Sequence, residues 1–131
     1  MNVVDSCGWL EYFFDQNNAD FFAPALLDTA HLVVPSITIF EVSRRLVTLS
    51  AGPPVEEAVA LMCKGKVIDL SPEQLALAAQ SAKLYGLAMA DAIIWQTAQA
   101  HSATLYTQDV DLKGLPYVKF KAKKLVTPKA H

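Results

Sequence analysis

Apolar residues in this chain come in short runs separated by polar or turn-forming residues, and the period of each run predicts an element. Val3 and Val4 open a buried strand over 3–5 that runs into Asp5. Trp9, Tyr12 and Phe13, spaced three to four residues apart, give one face to a short helix over 8–15. A second helical piece falls within 21–30, and 32–34 is a short buried strand stopped by Pro35. Ser36 stands where an N-cap belongs for a helix reaching about Leu49, with Ile37, Phe40 and Val47 along its apolar side. The segment SAGPP ends that helix; another follows over 55–63, then a short strand over 67–68. Ser71, Pro72, Glu73 and Gln74 form a capping box with proline at the first helical position. The helix they start should run to about Tyr85 and stop at Gly86. One more helix runs from Met89 or Ala90 to about His101, Thr104–Thr107 is a strand, and 117–120 is the last.

Short β-rich runs alternating with helices predict an α/β fold, a mostly parallel sheet with helices on both faces. In such sheets ligands gather outside the carboxyl ends of the strands. Asp5 ends the first strand and Asp109 follows two residues after Thr107, so two acids from distant parts of the chain share one kind of place.

Composition narrows the class. A chain of 131 residues with 53% hydrophobic and 18% charged residues is expected to fold as one domain over 1–131. Its greasiest stretch, FFAPALL, is broken by Pro24 and falls short of the roughly 18 apolar residues of a membrane span. The start has no basic region before an apolar run, so no signal peptide is expected. Cys7 and Cys63 match no metal or disulfide spacing and suit a reducing cytosol, so a cytoplasmic protein is expected. Net charge is −2, which by itself announces no nucleic-acid partner. The bases, however, are unevenly placed. Lys119, Lys121, Lys123, Lys124 and Lys129 crowd the end, where about 122–131 is expected to be a flexible basic tail, and Arg44 and Arg45 stand together earlier.

Two more acids sit in apolar surroundings: Glu41 in TIFEVSRRL and Asp91 in AMADAIIW. Each of the four has a bland explanation. Glu41 and Arg45 are spaced for a helical surface pair worth about 0.3–0.5 kcal/mol. Asp91 could only complement a helix dipole, Asp5 could cap a turn, and Asp109 with Asp111 could be a solvated loop. Brought together, four carboxylates repel and raise one another's pKa, a cost that a divalent cation removes. Oxygen ligands without His or Cys select Mg²⁺ or Mn²⁺ over zinc, and His31, His101 and His131 fall at no ligand spacing.

The segments VVDSCGWLEYF, TIFEVSRRL and MADAIIWQTAQAHSATLYTQDVDL together resemble the layout of a PIN domain, and specifically the VapC-type toxin ribonucleases, from Asp5 to about Val118. The resemblance implies a three-layer α/β/α sandwich around a short, mostly parallel sheet. It implies a metal-dependent endoribonuclease, the toxin of a VapBC-type toxin–antitoxin pair, leaving 5′-phosphate and 3′-hydroxyl ends. Asp5, Glu41, Asp91 and Asp109 then match the family's catalytic acids. Asp5, Asp91 and Asp109 would hold Mg²⁺ or Mn²⁺, with Glu41 and Asp111 reaching it through water, and Glu41 alternatively acting as general base. Ser6 and Thr107 match small hydroxyl positions that orient a water or phosphate oxygen, with turn and strand-end bonding as their plainer role. Leu112 stands where family members commonly carry Phe, a departure that touches packing. Arg44, Arg45 and Lys113 are candidates for RNA phosphates. Further implied partners are a VapB-like antitoxin, for which Trp9, Tyr12 and Phe13 could line a groove, although at least two of the three are expected to be ordinary core, and a second copy in a homodimer; no membrane is expected. Other readings stay open: a PIN nuclease in RNA processing without an antitoxin, or a non-catalytic PIN-like binding module. Haloacid-dehalogenase-like enzymes also end strand one with Asp, but need a second Asp where this chain has Cys7, and a receiver domain needs an early acid pair that is missing.

Overall fold

The computed structural model describes residues 1–124. The basic tail expected over 122–131 therefore lies, from residue 125 onward and including Lys129, outside the described residues.

The chain runs β1 (Asn2–Val4), α1 (Ser6–Phe13), α2 (Ala19–Leu27), β2 (Val33–Pro35), α3 (Ser36–Leu49), α4 (Val55–Met62), β3 (Lys66–Ile68), α5 (Pro72–Tyr85), α6 (Met89–Ala100), β4 (Thr104–Thr107) and β5 (Val118–Phe120). One-turn 3₁₀ segments at Thr29–His31 and Val110–Leu112 complete it. Strands β1, β4 and β5 pair in parallel in the order β1-β4-β5, and β2 pairs in parallel with β3. A parallel bridge between Asn2 and Leu32 brings the two sheets side by side. The expectation was a mostly parallel sheet; every pairing among the described residues is parallel.

Strand periodicity sorts the core into two halves. Val3, Val33 and Leu105 point to one face, where α5 and α6 cover them with Ala78, Ile94, Trp95 and Ala98. Val4, Val34 and the half-buried Tyr106 point to the other, against Trp9, Phe22, Leu26, Val42 and Met62 from α1 to α4. The result is the expected α/β/α sandwich, with all strand carboxyl ends along one edge.

Several boundaries differ from expectation for local reasons. Asp5 is not the last strand residue but the N-cap of α1, which starts at Ser6 rather than Gly8. Ser36 is not a cap: Pro35 occupies that position without a side-chain bond, and the Ser36 hydroxyl donates to Asp69 instead. On α3 the face expected to be apolar is mostly outside, with Phe40 64% and Val47 65% exposed and only Ile37 half-buried against the core, while Thr38, Val42 and Leu46 face inward. A stripe at four-residue spacing containing Thr38 won over the more apolar one. Ser71 caps α5 as expected, accepting the Gln74 N–H at 3.2 Å, but the box is half closed because the Gln74 side chain turns to Gln96 at 2.6 Å. Gly86 ends α5 in the left-handed conformation, φ 67°, which glycine adopts without penalty.

The most crowded of the glycines lies three residues after the strand-one carboxylate. A Cβ on Gly8 would come within 2.5 Å of the Phe22 ring and 2.6 Å of Val4, both fully enclosed. Gly8→Ala must push apart α1, α2 and β1 and should cost about 1–3 kcal/mol. Urea unfolding checks this; an unshifted midpoint would show that α1 can slide freely over α2.

Candidate active site

Three elements bring acids to one point. Strand β1 is locked beside β4 by the Asp5 N–H donating to the Tyr106 carbonyl at 3.0 Å. The chain then turns into α1, and Asp5 caps that helix by accepting the Ser6 N–H at 2.7 Å through Oδ1. Its Oδ2 accepts the Thr107 hydroxyl at 2.8 Å and the Cys7 thiol at 3.4 Å. Thr107, fully buried at the end of β4, also accepts the Asp109 N–H at 2.9 Å. One hydroxyl thus ties the two strand ends together. Asp109 caps the short 3₁₀ turn by accepting the Asp111 N–H at 2.9 Å. Asp91 enters from the first turn of α6, whose N-cap, Ala88, has no side-chain bond to offer.

Carboxylate oxygens of Asp5, Asp91 and Asp109 all lie within 4.8 Å of one another. Asp5 is only 4% exposed, and the other two are half-buried. Glu41, from α3, stands outside this trio and accepts the Ser6 hydroxyl at 2.5 Å. The surface pair Glu41–Arg45 does not form: among the described residues the one ion pair is His31 with Asp28. Asp111 is exposed and bonds into the site only through its backbone N–H. Arg44 and Arg45 are exposed and line a cleft of about 410 Å³ with Ile37, Phe40, Glu41 and Met89. Lys113 lies over the Phe120 ring at 5.2 Å, Lys119 over Tyr106 and Lys121 over Phe21. Of the three α1 aromatics, Trp9 is core at 1% exposure while Tyr12 and Phe13 are half-buried.

The electrostatics follow from crowding. Asp91 is pushed up to about 7, first by burial and then by the charges of Asp5 and Asp109, a hydrogen bond to Asp109 and the charge of Glu41. Asp5 is raised as well; burial outweighs the bonds from Thr107, Ser6 and Cys7 that favour its charged form. Burial, then the charge of Asp5, drives the Cys7 thiol far above its usual range, so it stays protonated and is no nucleophile. Three crowded carboxylates without a bonded cation among the described residues, and with no His or Cys in the group, fit a hard divalent ion.

The shift of Asp91 has a consequence for stability. A carboxyl raised in the folded state keeps its proton where the unfolded chain, near 3.8, has lost it. Stability is then fully present below the unfolded pKa and falls as pH rises through about 7. In metal-free buffer the wild type should lose more melting temperature between about pH 5 and about pH 8 than Asp91→Asn does. Parallel profiles for the two proteins would contradict the crowding.

A second polar group was missed from the sequence. Glu11 of α1 is 5% exposed and accepts the Gln108 side-chain amide at 3.0 Å, while Asn18, 1% exposed, donates to the Gln108 oxygen at 3.0 Å. An acid inside WLEYF carries the same cue that singled out Glu41 and Asp91, a carboxylate in apolar surroundings.

Comparison with known proteins bears on the fold. Among solved structures the chain is similar to a toxin–antitoxin complex from Klebsiella pneumoniae (TM-score 0.75, 21% identity, 91% of this chain and 96% of that one). It is similar to PAE2754 from Pyrobaculum aerophilum (0.69, 18%, 91% and 89%). VapBC2 from Rickettsia felis, bound to a DNA fragment from its promoter, follows at 0.62 and 17% identity over 92% and 97%. At these identities the likeness is one of fold. Comparison with curated protein sequences finds no match. The PIN domain family model matches residues 3–116, most of the chain and all three acids of the trio: the chain belongs to the PIN domain family.

Proposed function

We propose that this protein is a metal-dependent endoribonuclease and the toxin of a VapBC-type toxin–antitoxin pair, working in the cytoplasm as a homodimer. The observation that carries the nuclease reading is the convergence of Asp5, Asp91 and Asp109 within 4.8 Å at the strand ends of a PIN fold. The toxin reading draws support from neighbours described as a toxin–antitoxin complex and as VapBC2. Among the described residues no helix is long and apolar enough to cross a membrane.

Asp5, Asp91 and Asp109 would hold Mg²⁺ or Mn²⁺, which when bound supplies Lewis acidity toward a phosphoryl oxygen and lowers the pKa of a nearby water. The Thr107 hydroxyl and Ser6 N–H hold the Asp5 carboxylate in one orientation. Ser6 also fixes Oε1 of Glu41, leaving Oε2 to take a proton from the attacking water as general base. In-line attack expels the 3′-oxygen, giving 5′-phosphate and 3′-hydroxyl ends. Arg44, Arg45 and Lys113, all exposed, would meet backbone phosphates outside the acidic pocket. Asp111 would act through its backbone N–H, which holds Asp109 Oδ1.

Purified protein should cleave total cellular RNA in Mg²⁺, stop in excess EDTA and resume when Mg²⁺ is restored. Cleavage that persists in EDTA would sink the reading.

A further inference from the structure

Beside the acidic trio lies a second pocket, of about 290 Å³, walled by Leu10, Phe14 and Leu49 and by the polar side chains of Gln108, Arg45 and Lys123. Cys7 lines it too, and its sulfur is 3.4 Å from Asp5 Oδ2, so the pocket adjoins the reacting centre. Gln108 itself immediately precedes Asp109. We infer that this pocket takes one unpaired nucleobase of the RNA next to the cut phosphate, and that Gln108 reads its edge; the inference rests on the nuclease reading above.

Gln108 is held from two sides. Its Nε2 donates to Glu11 Oε1 at 3.0 Å, and its Oε1 accepts from Asn18 Nδ2 at 3.0 Å. Asn18 Nδ2 also donates to the Ala122 carbonyl at 3.1 Å, and Glu11 Oε2 accepts the Asn18 N–H at 3.3 Å. A carboxylate only accepts, and an amide nitrogen facing two oxygens only donates, so neither partner lets the Gln108 amide flip. One N–H and one oxygen lone pair remain on it, the pair with which glutamine recognises a base edge. Burying Glu11 without an ion pair is costly, and a fixed orientation of Gln108 is what the burial achieves. The other walls suit the same ligand. Phe14 offers a ring for stacking, and the exposed Arg45 and Lys123 suit the flanking phosphates.

The test uses the full chain, Mg²⁺ and a pool of single-stranded RNA with a randomised centre, sequencing the ends produced. Wild-type ends should share a favoured base at one fixed position from the cut, by about tenfold. Gln108→Met should cut that preference to about twofold or less while still cleaving, because shape is kept and the amide is lost. Glu11→Gln, nearly isosteric, removes one of the two restraints on the amide and leaves Asn18 as the other, so the base preference should weaken severalfold without changing to a different base; a merely structural Glu11 would change yield but not base choice. If Gln108→Met does not fold, Glu11→Gln decides alone. Arg45→Gln should slow all sequences alike. A wild-type enzyme that cleaves without positional preference, or a preference both variants keep, overturns this inference and leaves the nuclease reading standing. The second of these is also the result expected if the pocket serves a protein partner. No cleavage by the wild type overturns both.

Discussion

Asn in place of Asp5 or of Asp91 is expected to lower Mg²⁺-dependent RNA cleavage by about 10²–10³-fold, the scale on which a preorganised electrostatic group acts. The reason is geometric. Each acid supplies one carboxylate to a trio whose oxygens lie within 4.8 Å, and an amide offers the ion a neutral oxygen in place of a charge. The two variants should differ in stability. Asp91→Asn removes a charge crowded by Asp5, Asp109 and Glu41, so its metal-free melting temperature should match or exceed that of the wild type. Asp5→Asn places an amide where the Thr107 hydroxyl and Cys7 thiol both donate, and part of the relieved repulsion is lost again. Initial rates and thermal melts on the same preparations check both halves. Wild-type rates in both variants would sink the mechanism.

Thr107→Val should weaken divalent-ion affinity by about 10–100-fold, although Thr107 itself is no ligand. Its hydroxyl donates to Asp5 at 2.8 Å and accepts from the Asp109 N–H at 2.9 Å. Valine has the same shape and neither bond. Asp5 is then free to turn, and the Asp109 N–H loses its partner at a cost of about 1–3 kcal/mol. A binding isotherm separates the effects, since a general loss of stability lowers the melting temperature without moving the affinity of the folded protein. Wild-type affinity in the Val variant would mean that the backbone alone orients the site.

The parts legible in the sequence are those where one residue type contradicts its surroundings. Asp5, Glu41 and Asp91 stand among apolar neighbours, and three of the four acids converge as the strand-end rule suggests. Element order was legible for a similar reason, since Ser71-Pro72 and Gly86 punctuate α5 unambiguously. Less legible was which of two competing helical stripes would face inward. On α3 the stripe Ile37, Phe40, Val47 is more apolar than Thr38, Val42, Leu46, yet the second is buried, and the helix so turned has Glu41 bonded to Ser6. Periodicity reports amphipathicity and is silent on what the opposite wall requires. Glu11 shows the complement of this limit. Its partners Asn18 and Gln108 are 7 and 97 residues away, and a hydrogen-bond network assembled from such separations leaves no local pattern. The Ser36 cap failed for the same cause, because its hydroxyl had a distant acceptor in Asp69.

The account stands or falls on whether the three acids hold an ion. Calorimetric titration of Mn²⁺ into chelator-stripped protein near neutral pH measures this directly. The account predicts saturable binding accompanied by proton release, because Asp91 is pushed up to about 7 and must give up its proton to bind. It also predicts that Asp5→Asn abolishes the isotherm. No saturable binding by the wild type, or the same isotherm in Asp5→Asn, would contradict it.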